Sequence, residues 1–414
     1  MGFFPLKIID MRNFSVLFII LMLFFSNINA QEISQWRGPN RDGIYPEKNL
    51  LTQWPEGGPK LLWKYENLGI GYTSAAVTTT KVYITGTTDS TSYLYAFNHS
   101  GELLWKKLLG KEWTVNFPGV RSSPLIYDGL GYVLSGLGVV SCFDAESGNI
   151  LWKVDLYKQY NGREVKFGIT ENFLIDGDKL FCTPGGEENN VIALNRKTGE
   201  LIWKSKGVGE VSAYCSPRII EYKGTRYLLT ITAKSIISLN PENGVLVWSH
   251  DLQYPDGIHS NTPIFRDGYI FAMNGWDYGS VMLKLSDDGK SVTEVWRSKL
   301  FDLEHGGVIL MGDNIYGSDW ATKNFSCVDW KTGEVKYSVK TIFPASVITA
   351  DGLIYCYTYT GEVLLIKPLE RGFEVVSNFK VEGVKRDHIA IPVIDKGRLF
   401  IRYANSLWVY SIAK

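Results

Sequence analysis

Histidine is the chain's clearest source of acid–base or metal chemistry, and the chain has five of them. Three, His259, His305 and His388, each stand just before the first strand of a repeated unit. Imidazoles that meet at one point can bind a metal ion or transfer protons, because histidine titrates near neutral pH. The three units are spread through the repeat, so we instead expect each imidazole to bond to a neighbouring strand or to water, or to contact a polar ligand at the mouth of the channel. We predict no metal site and no catalytic residue.

Other residues suited to ligand contact fall at the same position of the unit or in the loops at that end. Arg121 and Tyr214 precede first strands as the histidines do, and the loops contain Trp276, Asp277 and Trp320. Aromatic side chains beside charged ones are typical of binding hot spots. We therefore predict a ligand surface at this end of the units, with a protein or a carbohydrate as the ligand.

Composition narrows the possible partners and chemistry further. The chain has 43 basic and 43 acidic residues, a net charge of zero, and no basic stripe, which argues against a nucleic-acid partner. It contains no G-x-S-x-G, no H-E-x-x-H and no phosphate-binding loop. Its five cysteines include no C-x-x-C pair and lie in apolar strand segments, so we expect small buried hydrophobes rather than disulfides or metal ligands.

The elements that position these residues come from one recurring hairpin. An apolar strand leads to a polar turn that ends in Gly, and the next strand carries an aromatic residue. The copies reach that residue at Trp105, Trp152, Trp203, Trp248, Trp296 and Tyr337. The five tryptophans lie 47, 51, 45 and 48 residues apart. Strand-rich repeats of about 40 to 50 residues are typical of a β-propeller.

Counting the units predicts how the ring closes. Eight units begin near Tyr72, Val120, Gly168, Val211, Ile258, Gly306, Pro344 and His388. The eighth unit has only three strands, whereas Leu61 to Tyr65 carries Trp63 in the outer-strand pattern without preceding strands. We predict that this segment completes the eighth blade, because open sheet edges invite aggregation. The fold class is an all-β, eight-bladed propeller of four-stranded antiparallel blades.

The hairpin pattern Phe-Asp-x-x-(Ser/Thr)-Gly-x-x-x-Trp resembles the tryptophan-docking motif of the pyrroloquinoline quinone (PQQ) propellers, over essentially all of Gln31 to Lys414. The segment from Gln35 to Pro39, Gln-Trp-Arg-Gly-Pro, resembles the start of a secreted subgroup. The resemblance implies that each indole packs between blades against the turn of its neighbour. The tryptophans with this implied structural role are Trp63, Trp105, Trp152, Trp203, Trp248 and Trp296.

The resemblance allows three functions. Our leading interpretation is a non-catalytic binding propeller. The alternative is a PQQ-dependent quinoprotein dehydrogenase for alcohols or sugars, with PQQ and Ca²⁺ on the ring axis and with Arg121 and Arg386 supplying charge. The absence of adjacent cysteines and of room for inserted loops disfavours the alcohol-oxidising type. A second alternative is an outer-membrane assembly scaffold, which the lack of a lipid-anchor Cys near the predicted cleavage site disfavours.

The N-terminus has the layout of a secretory signal. Arg12 precedes an apolar run from Ser15 to Phe25, and small and polar residues lead to Ala30. Eleven residues are too few to cross a membrane core that needs about 20. We predict cleavage after Ala30, a periplasmic or secreted protein without a membrane anchor, and either Met1 or Met11 as the start. The predicted domains are a signal peptide (1–30), an N-terminal extension (31–60) and the propeller (61–414).

Overall fold

Eight β-sheets follow one another along the chain and form a ring, which confirms the predicted eight-bladed all-β propeller. The computed structural model describes residues 1–2, 32–254, 258–340, 344–382 and 388–414. One compact unit runs from Ile33 to Lys414 and contains every blade. The other unit, Met1 to Glu32, includes the predicted signal peptide, most of which lies outside the described residues. Among the described residues, no helix is long and apolar enough to cross a membrane.

The strands are short, and each blade is a meander of consecutive strands. Three strands precede the first blade: β1 Ile33–Ser34, β2 Ile44–Tyr45 and β3 Lys60–Tyr65. Blades 1 and 2 contain β4 Ala76–Val77, β5 Val82–Thr88, β6 Thr91–Phe97, β7 Leu103–Lys111, β8 Leu125–Tyr127, β9 Leu130–Leu134, β10 Val139–Asp144 and β11 Ile150–Asp155. Helix α1 Leu156–Tyr160 follows β11. Blades 3 and 4 contain β12 Leu174–Asp176, β13 Lys179–Cys182, β14 Val191–Asn195, β15 Leu201–Ser205, β16 Arg218–Tyr222, β17 Thr225–Ile231, β18 Ser235–Leu239 and β19 Leu246–Asp251.

The second half of the ring repeats this arrangement. Blades 5 and 6 contain β20 Ile264–Arg266, β21 Tyr269–Met273, β22 Ser280–Leu285, β23 Val292–Ser298, β24 Ile309–Met311, β25 Asn314–Ser318, β26 Asn324–Asp329 and β27 Val335–Lys340. Blades 7 and 8 contain β28 Ala345–Ala350, β29 Leu353–Thr358, β30 Glu362–Leu369, β31 Gly372–Lys380, β32 Val393–Asp395, β33 Arg398–Tyr403 and β34 Ser406–Ser411.

The ring closes through β3, as predicted. This strand pairs antiparallel with β34, with Lys60 opposite Ser411 and Tyr65 opposite Leu407. The sheet order of blade 8 is therefore β3-β34-β33-β32, with the N-terminal strand outermost. Because the first and last parts of the chain share one sheet, the last strand β34 is covered by β3 and is not left as an open sheet edge.

Neighbouring blades are joined by the repeated tryptophans. An indole N–H on the outer strand of one blade donates a hydrogen bond to a backbone carbonyl in the hairpin turn of the next. The donor and acceptor pairs are Trp63 to His99 (3.1 Å), Trp105 to Glu146 (2.9 Å), Trp152 to Arg196 (3.2 Å), Trp203 to Pro241 (3.1 Å) and Trp296 to Trp330 (3.3 Å). Trp248 is buried, and its Nε1 has no hydrogen-bond partner among the described residues.

The glycine of each turn has two physical requirements to meet. Gly244 has φ +73°, a conformation that costs a residue with a Cβ about 1 kcal/mol or more. A Cβ at Gly244 would also lie 2.5 Å from Cε3 of Trp203, which packs against the turn. The same close approach occurs between Gly148 and Trp105. The turn glycine therefore allows the positive φ angle of the turn, and its lack of a Cβ lets the indole of the neighbouring blade pack against it.

We predict that Gly244→Ala destabilises the propeller by about 3 kcal/mol, because left-handed strain adds to overpacking against Trp203. Gly224→Ala is the matched control, since Gly224 has φ +79° and nothing within 4 Å of its added Cβ. The control is expected to cost about 1 kcal/mol from strain alone. Thermal unfolding of both variants measures the difference. Equal unfolding midpoints would show that the close packing of Trp203 against Gly244 contributes nothing to stability.

Candidate functional site

The segment before β3 crosses the centre of the ring. Strand β1 pairs antiparallel with β8 of blade 2, with Ile33 opposite Tyr127. Strand β2 pairs in parallel with β28 of blade 7, with Ile44 opposite Thr349. Both β8 and β28 are the first, innermost strands of their blades. Residues 33–45, which we call the channel plug, therefore pass from one side of the ring to the other.

Two arginines anchor the channel plug to opposite parts of the ring. Arg37 donates from Nη1 to Gly306 O (2.8 Å) and from Nη2 to Val308 O (2.7 Å) in blade 6. Arg41 donates to the backbone carbonyls of blade 3, at Phe173 O (2.6 Å) and Asn172 O (2.7 Å). The two side chains are only 4 % and 3 % exposed. Each planar guanidinium thus donates to two backbone carbonyls of one blade, a forked contact that the point charge of a lysine does not match.

Burial and local backbone geometry show how closely the channel plug is fitted. Desolvation lowers the pKa of Arg37 and of Arg41 to about 10, so both stay charged at neutral pH. Arg37 and Arg41 have positive φ angles of 61° and 59°, which are uncommon outside glycine. A Cβ at Gly307 would lie 1.9 Å from Nη1 of Arg37. Blade 6 therefore has a glycine where the guanidinium needs room.

A cavity of about 200 Å³ lies above the channel plug. Its lining comes from the segments that lead into the first strands of seven blades, together with the plug itself. The lining residues are Trp36, Tyr72, Phe117, Arg121, Phe167, Thr170, Asn172, Tyr214, Ile258, Ser260, Asn261, Glu304, His305, Gly306, Ile389 and Ile391. Contributions from so many blades place the cavity at the ring axis, and we call it the mouth cavity.

Aromatic side chains form much of the mouth cavity's wall and rim. Phe167 packs edge-on against Phe117 at 6.0 Å and against Trp276 at 6.3 Å between ring centroids. Phe117 is 54 % exposed, and Trp276 is 37 % exposed. Phe117, Tyr214 and Trp276 have positive φ angles of 41°, 68° and 60°. Bulky residues in this region are strained, and such strain clusters at functional sites.

Few charged groups face the mouth cavity. The Arg121 guanidinium donates to the backbone carbonyls of Asn116, Phe117 and Phe167, which holds the aromatic loops together. Burial lowers the pKa of Arg121 and raises that of Glu304. The cavity is thus an aromatic recess with one cation and one carboxyl group on its wall.

The structure brings some of the predicted ligand residues together and separates others. Arg121, Tyr214 and His305 line the mouth cavity. Trp276 lies at its rim, and Trp320 contacts the His305 ring edge-on at 6.5 Å while remaining 44 % exposed. Asp277 is exposed, and its backbone carbonyl accepts a hydrogen bond from Lys299 (2.9 Å).

His259 and His388 do not line the mouth cavity. His259 is buried, donates from Nε2 to Ala233 O (3.2 Å), and has its pKa lowered to about 4 by desolvation. His388 is buried, stacks on Tyr403 at 3.7 Å and hydrogen-bonds through Nδ1 with the Tyr357 hydroxyl. Within the described residues, no three His, Cys, Asp or Glu side chains form a metal-binding group. Arg386, the other predicted source of charge, lies outside the described residues.

The sequence reasoning missed the channel plug and Trp36, which forms the floor of the mouth cavity. The signal was present in Gln35 to Gly43, where two glycines, Gly38 and Gly43, fall within nine residues, a pattern for a compact turn, and these glycines and both arginines have positive φ angles. Only the paired strands on both sides of the ring show that this turn fills the channel.

Glu171 lies beside the Arg41 anchor in blade 3. It is fully buried, and its Oε1 accepts a hydrogen bond from Thr183 N (3.2 Å). Oε2 has no hydrogen-bond partner among the described residues. Desolvation raises the pKa of Glu171 to about 8, although the Thr183 hydrogen bond and the Arg41 charge oppose the shift. The carboxyl group is therefore mainly protonated at neutral pH.

Comparison with known proteins agrees with this architecture. A family model described as outer membrane protein assembly factor BamB matches residues 90–339, more than half of the chain. The chain belongs to this family of PQQ-like β-propeller repeat proteins. Its repeats are also similar to those of quinoprotein dehydrogenases, as the curated relatives show.

Two curated relatives illustrate the two branches. The BamB of Kangiella koreensis is 28 % identical over 35 % of this chain and 36 % of its own length. The quinoprotein alcohol dehydrogenase PedH of Pseudomonas putida is 29 % identical over 34 % of this chain and 25 % of its own length. The chain thus matches about a third or less of these relatives' lengths.

Solved structures share the fold at low sequence identity. BamB from Moraxella catarrhalis superposes with a TM-score of 0.60 at 14 % identity, covering 85 % of this chain and 97 % of its own. The quinohemoprotein alcohol dehydrogenase ADHIIG of Pseudomonas putida HK5 superposes with a TM-score of 0.60 at 13 % identity, covering 90 % of this chain and 78 % of its own. These likenesses show the propeller fold.

The residues at the axis do not fit PQQ and Ca²⁺. Ca²⁺ takes six to eight oxygen ligands, several of them carboxylates, whereas Glu304 is the carboxylate among the residues that line the mouth cavity. The one cationic guanidinium there, on Arg121, already donates to three backbone carbonyls. Below the cavity, Trp36, Arg37 and Arg41 fill the channel.

We predict that Gly307→Ala releases the channel plug, because the new Cβ displaces the Arg37 guanidinium from its carbonyl acceptors. Gly312→Ala, in the same blade with φ +55° and no atom within 4 Å, is the control for backbone strain alone. Relative to this control, Gly307→Ala is expected to lose a further 2 to 3 kcal/mol, roughly the cost of a broken charged hydrogen bond.

Thermal unfolding and trypsin cleavage at Arg37 and Arg41 measure this effect. Cleavage at both arginines is expected to be much faster in Gly307→Ala than in the control. Identical midpoints and cleavage rates in the two variants would mean that Arg37 does not hold the channel plug.

We predict that Glu171→Gln removes part of the protein's pH dependence. The folded pKa of about 8 lies above the ordinary value of 4.5, so the stability it supports is complete below pH 4.5 and is lost as pH rises through 8. At about 1.4 kcal/mol per pKa unit, the free energy of unfolding of the wild type falls by up to about 5 kcal/mol as the pH rises from below 4.5 to above 8.

Denaturant unfolding of wild type and Glu171→Gln at pH 5, 6.5 and 8 checks the sign. The wild type should lose stability relative to the variant as the pH rises. Contributions of His259 cancel in this difference, because both proteins contain it. A constant difference across the range would show that Glu171 does not titrate as inferred.

Proposed function

We propose that this protein is a non-catalytic binding propeller of the cell envelope, whose mouth cavity and aromatic rim hold a protein partner. The aromatic recess above a filled channel carries the proposal. The apolar signal-like run before Ala30 supports export to the periplasm or the cell exterior.

The rim has the composition of a protein-binding hot spot. Phe117, Trp276 and Trp320 are exposed large aromatic residues around one concave site. Hot spots are enriched in Trp, Tyr and Arg and sit in pockets from which water is excluded on binding. The mouth cavity provides such a pocket, and Ser260 Oγ at its wall, which has no hydrogen-bond partner among the described residues, offers a polar atom for a peptide backbone.

The backbone around the rim is prepared before any partner binds. Arg121 ties the loop that contains Phe117 to that of Phe167 through three carbonyls. Lys166 lies over both Phe167 and Trp276, at 5.3 Å and 5.1 Å from the ring centroids. Fixed aromatic groups lose little conformational entropy on binding, so a preformed rim favours affinity.

The similarity to BamB proteins supports a protein partner over a carbohydrate. Those relatives are named as assembly factors of outer membrane proteins. The residues at the ring axis do not suit a quinone and Ca²⁺. Binding of a partner therefore agrees better with the mouth cavity than oxidation of alcohols or sugars does. We keep the division at residue 60 as a proposed boundary in the sequence. Residues 33–45, which precede it, pair with the inner strands of two blades.

Photo-crosslinking in the native cell tests this function. A photoreactive side chain replaces Phe117 or Trp320 on the rim, and Val245, an exposed residue of the blade 4 hairpin turn, serves as the control position. We expect the same protein adduct from both rim positions, a lower yield when Trp276→Ala is added, and no such adduct from position 245. Equal adducts at all three positions would contradict a partner site on the rim.

A second arm tests the competing functions with purified protein. PQQ with Ca²⁺ is expected to give neither a spectral shift nor dye-linked oxidation of alcohols and aldoses. Turnover would replace the proposal with a dehydrogenase. An oligosaccharide that quenches tryptophan fluorescence and blocks the rim adduct would assign the face to carbohydrate instead.

A further inference from the structure

A second cavity, of about 370 Å³, lies between blades 1 and 2, away from the mouth cavity. We call it the blade 1–2 crevice. Its walls come from β6 and β7 of blade 1, from β9, β10 and β11 of blade 2, from α1 and from the loops beside them. The lining of this crevice shares no residue with the lining of the mouth cavity.

The crevice has a narrow, radial form. On blade 2 its wall runs from Val120, before the innermost strand, through Leu134 on β9 and Val139 on β10 to Lys153 on the outermost strand β11. Four adjacent strands at about 4.8 Å spacing span roughly 14 Å. The crevice therefore extends from the outer edge of the ring, at β11, toward the ring axis.

The interior of the crevice is aliphatic. Leu109, Val133 and Leu134 are buried, and Leu137 and Val139 are partly exposed beside them. Tyr157 is the sole aromatic residue in the lining, whereas the mouth cavity has five. A slot with flexible aliphatic walls suits an alkyl chain better than a flat ring.

The outer end of the crevice carries three lysines. Lys111, Lys153 and Lys158 are exposed residues on β7, β11 and α1. Lys153 donates to Leu109 O, and Lys158 pairs with Asp155 at 3.1 Å. Lys111 forms no ion pair with any residue that the structure describes. The opening therefore carries more positive charge than its one partly exposed carboxylate, Asp155, balances.

The remaining acid, Glu112, is directed into the protein. Its carboxyl oxygens accept hydrogen bonds from Ser92 Oγ (2.8 Å), Trp113 N (2.8 Å) and Gly136 N (2.6 Å). These three donors satisfy the buried group, so it does not compete for the lysines at the opening.

We infer that the blade 1–2 crevice binds a single-chain anionic amphiphile, with the alkyl chain along the aliphatic wall and the anionic head at Lys111, Lys153 and Lys158. A medium-chain fatty acid is the simplest member of this class. The same chemistry could come from a free fatty acid or from one chain of an anionic lipid. This inference is independent of the proposed partner site, since the two cavities share no residue.

Calorimetric titration of the mature protein with dodecanoate, below its micelle concentration, tests the site. We expect one bound molecule, with the dissociation constant rising about fourfold for each methylene removed in the decanoate comparison. Dodecanol and dodecyltrimethylammonium are expected to bind at least tenfold more weakly. Lysines at the opening are the reason for that preference.

Two variants and one control locate the binding. The triple variant Lys111→Gln, Lys153→Gln, Lys158→Gln should weaken dodecanoate at least tenfold. Leu137→Trp should abolish binding by filling the crevice. The control replaces exposed lysines of other blades, Lys60, Lys204 and Lys290, with Gln and should bind as the wild type does. Thermal unfolding checks that each variant folds, and the triple variant changes only exposed side chains.

The comparison ligands distinguish a lipid chain from a free fatty acid as the source of the ligand, and either of these from a peptide. Phosphatidylglycerol vesicles that displace dodecanoate would identify a lipid chain as the ligand, and vesicles without effect would identify the free acid. Either result supports the site. Absence of dodecanoate binding, unchanged affinity in the triple variant, or tighter binding of a peptide with a C-terminal leucine than of dodecanoate would overturn the inference.

Discussion

Two buried guanidinium groups determine what the centre of this propeller can do. Arg37 and Arg41 bind backbone carbonyls of blades 6 and 3 across the channel, so that the chain before the ring becomes part of its core. A buried cation is tolerated only when its donors are satisfied, and here carbonyl groups satisfy most of them. The channel is consequently filled from within, and the space left for a ligand is the recess above Trp36.

The ring shows how one repeat can support different chemistry at its two faces. On the hairpin face, indole and glycine pair in blade after blade, as at Trp203 and Gly244, and the sequence copies stay close to one another. On the opposite face, the segments before the first strands differ from blade to blade, and two of their aromatic residues, Phe117 and Tyr214, have positive φ angles. Function in a repeat protein is concentrated where the copies diverge, since the shared positions are needed for packing.

The parts of the fold that could be predicted depend on local patterns. The hairpin turn at Gly244 and the indole at Trp203 follow from spacing of a few residues, and the closure by β3 follows from counting incomplete units. The candidate site was predicted only in part. Arg121, Tyr214 and His305 face the mouth cavity, whereas the equivalent position in blade 5 directs His259 into the protein.

Long-range pairing explains what sequence reasoning could not reach. The channel plug depends on partners more than 80 residues away, such as Thr349 for Ile44 and Tyr127 for Ile33. No local periodicity encodes such partners, and a short polar stretch with glycines looks like an ordinary loop. The direction of a histidine depends likewise on the packing of adjacent blades rather than on its place in the repeat.

Hydrogen–deuterium exchange of the N-terminal segment tests the central claim that this segment fills the channel. The amides of Gly43 and Ile44 donate to Arg37 O (2.9 Å) and Asp42 Oδ1 (3.0 Å) inside the ring. The account predicts that peptides covering residues 33–45 exchange as slowly as those of the inner strands of blades 2 and 7. Exchange of these amides within seconds, at the rate of an unstructured chain, would contradict it.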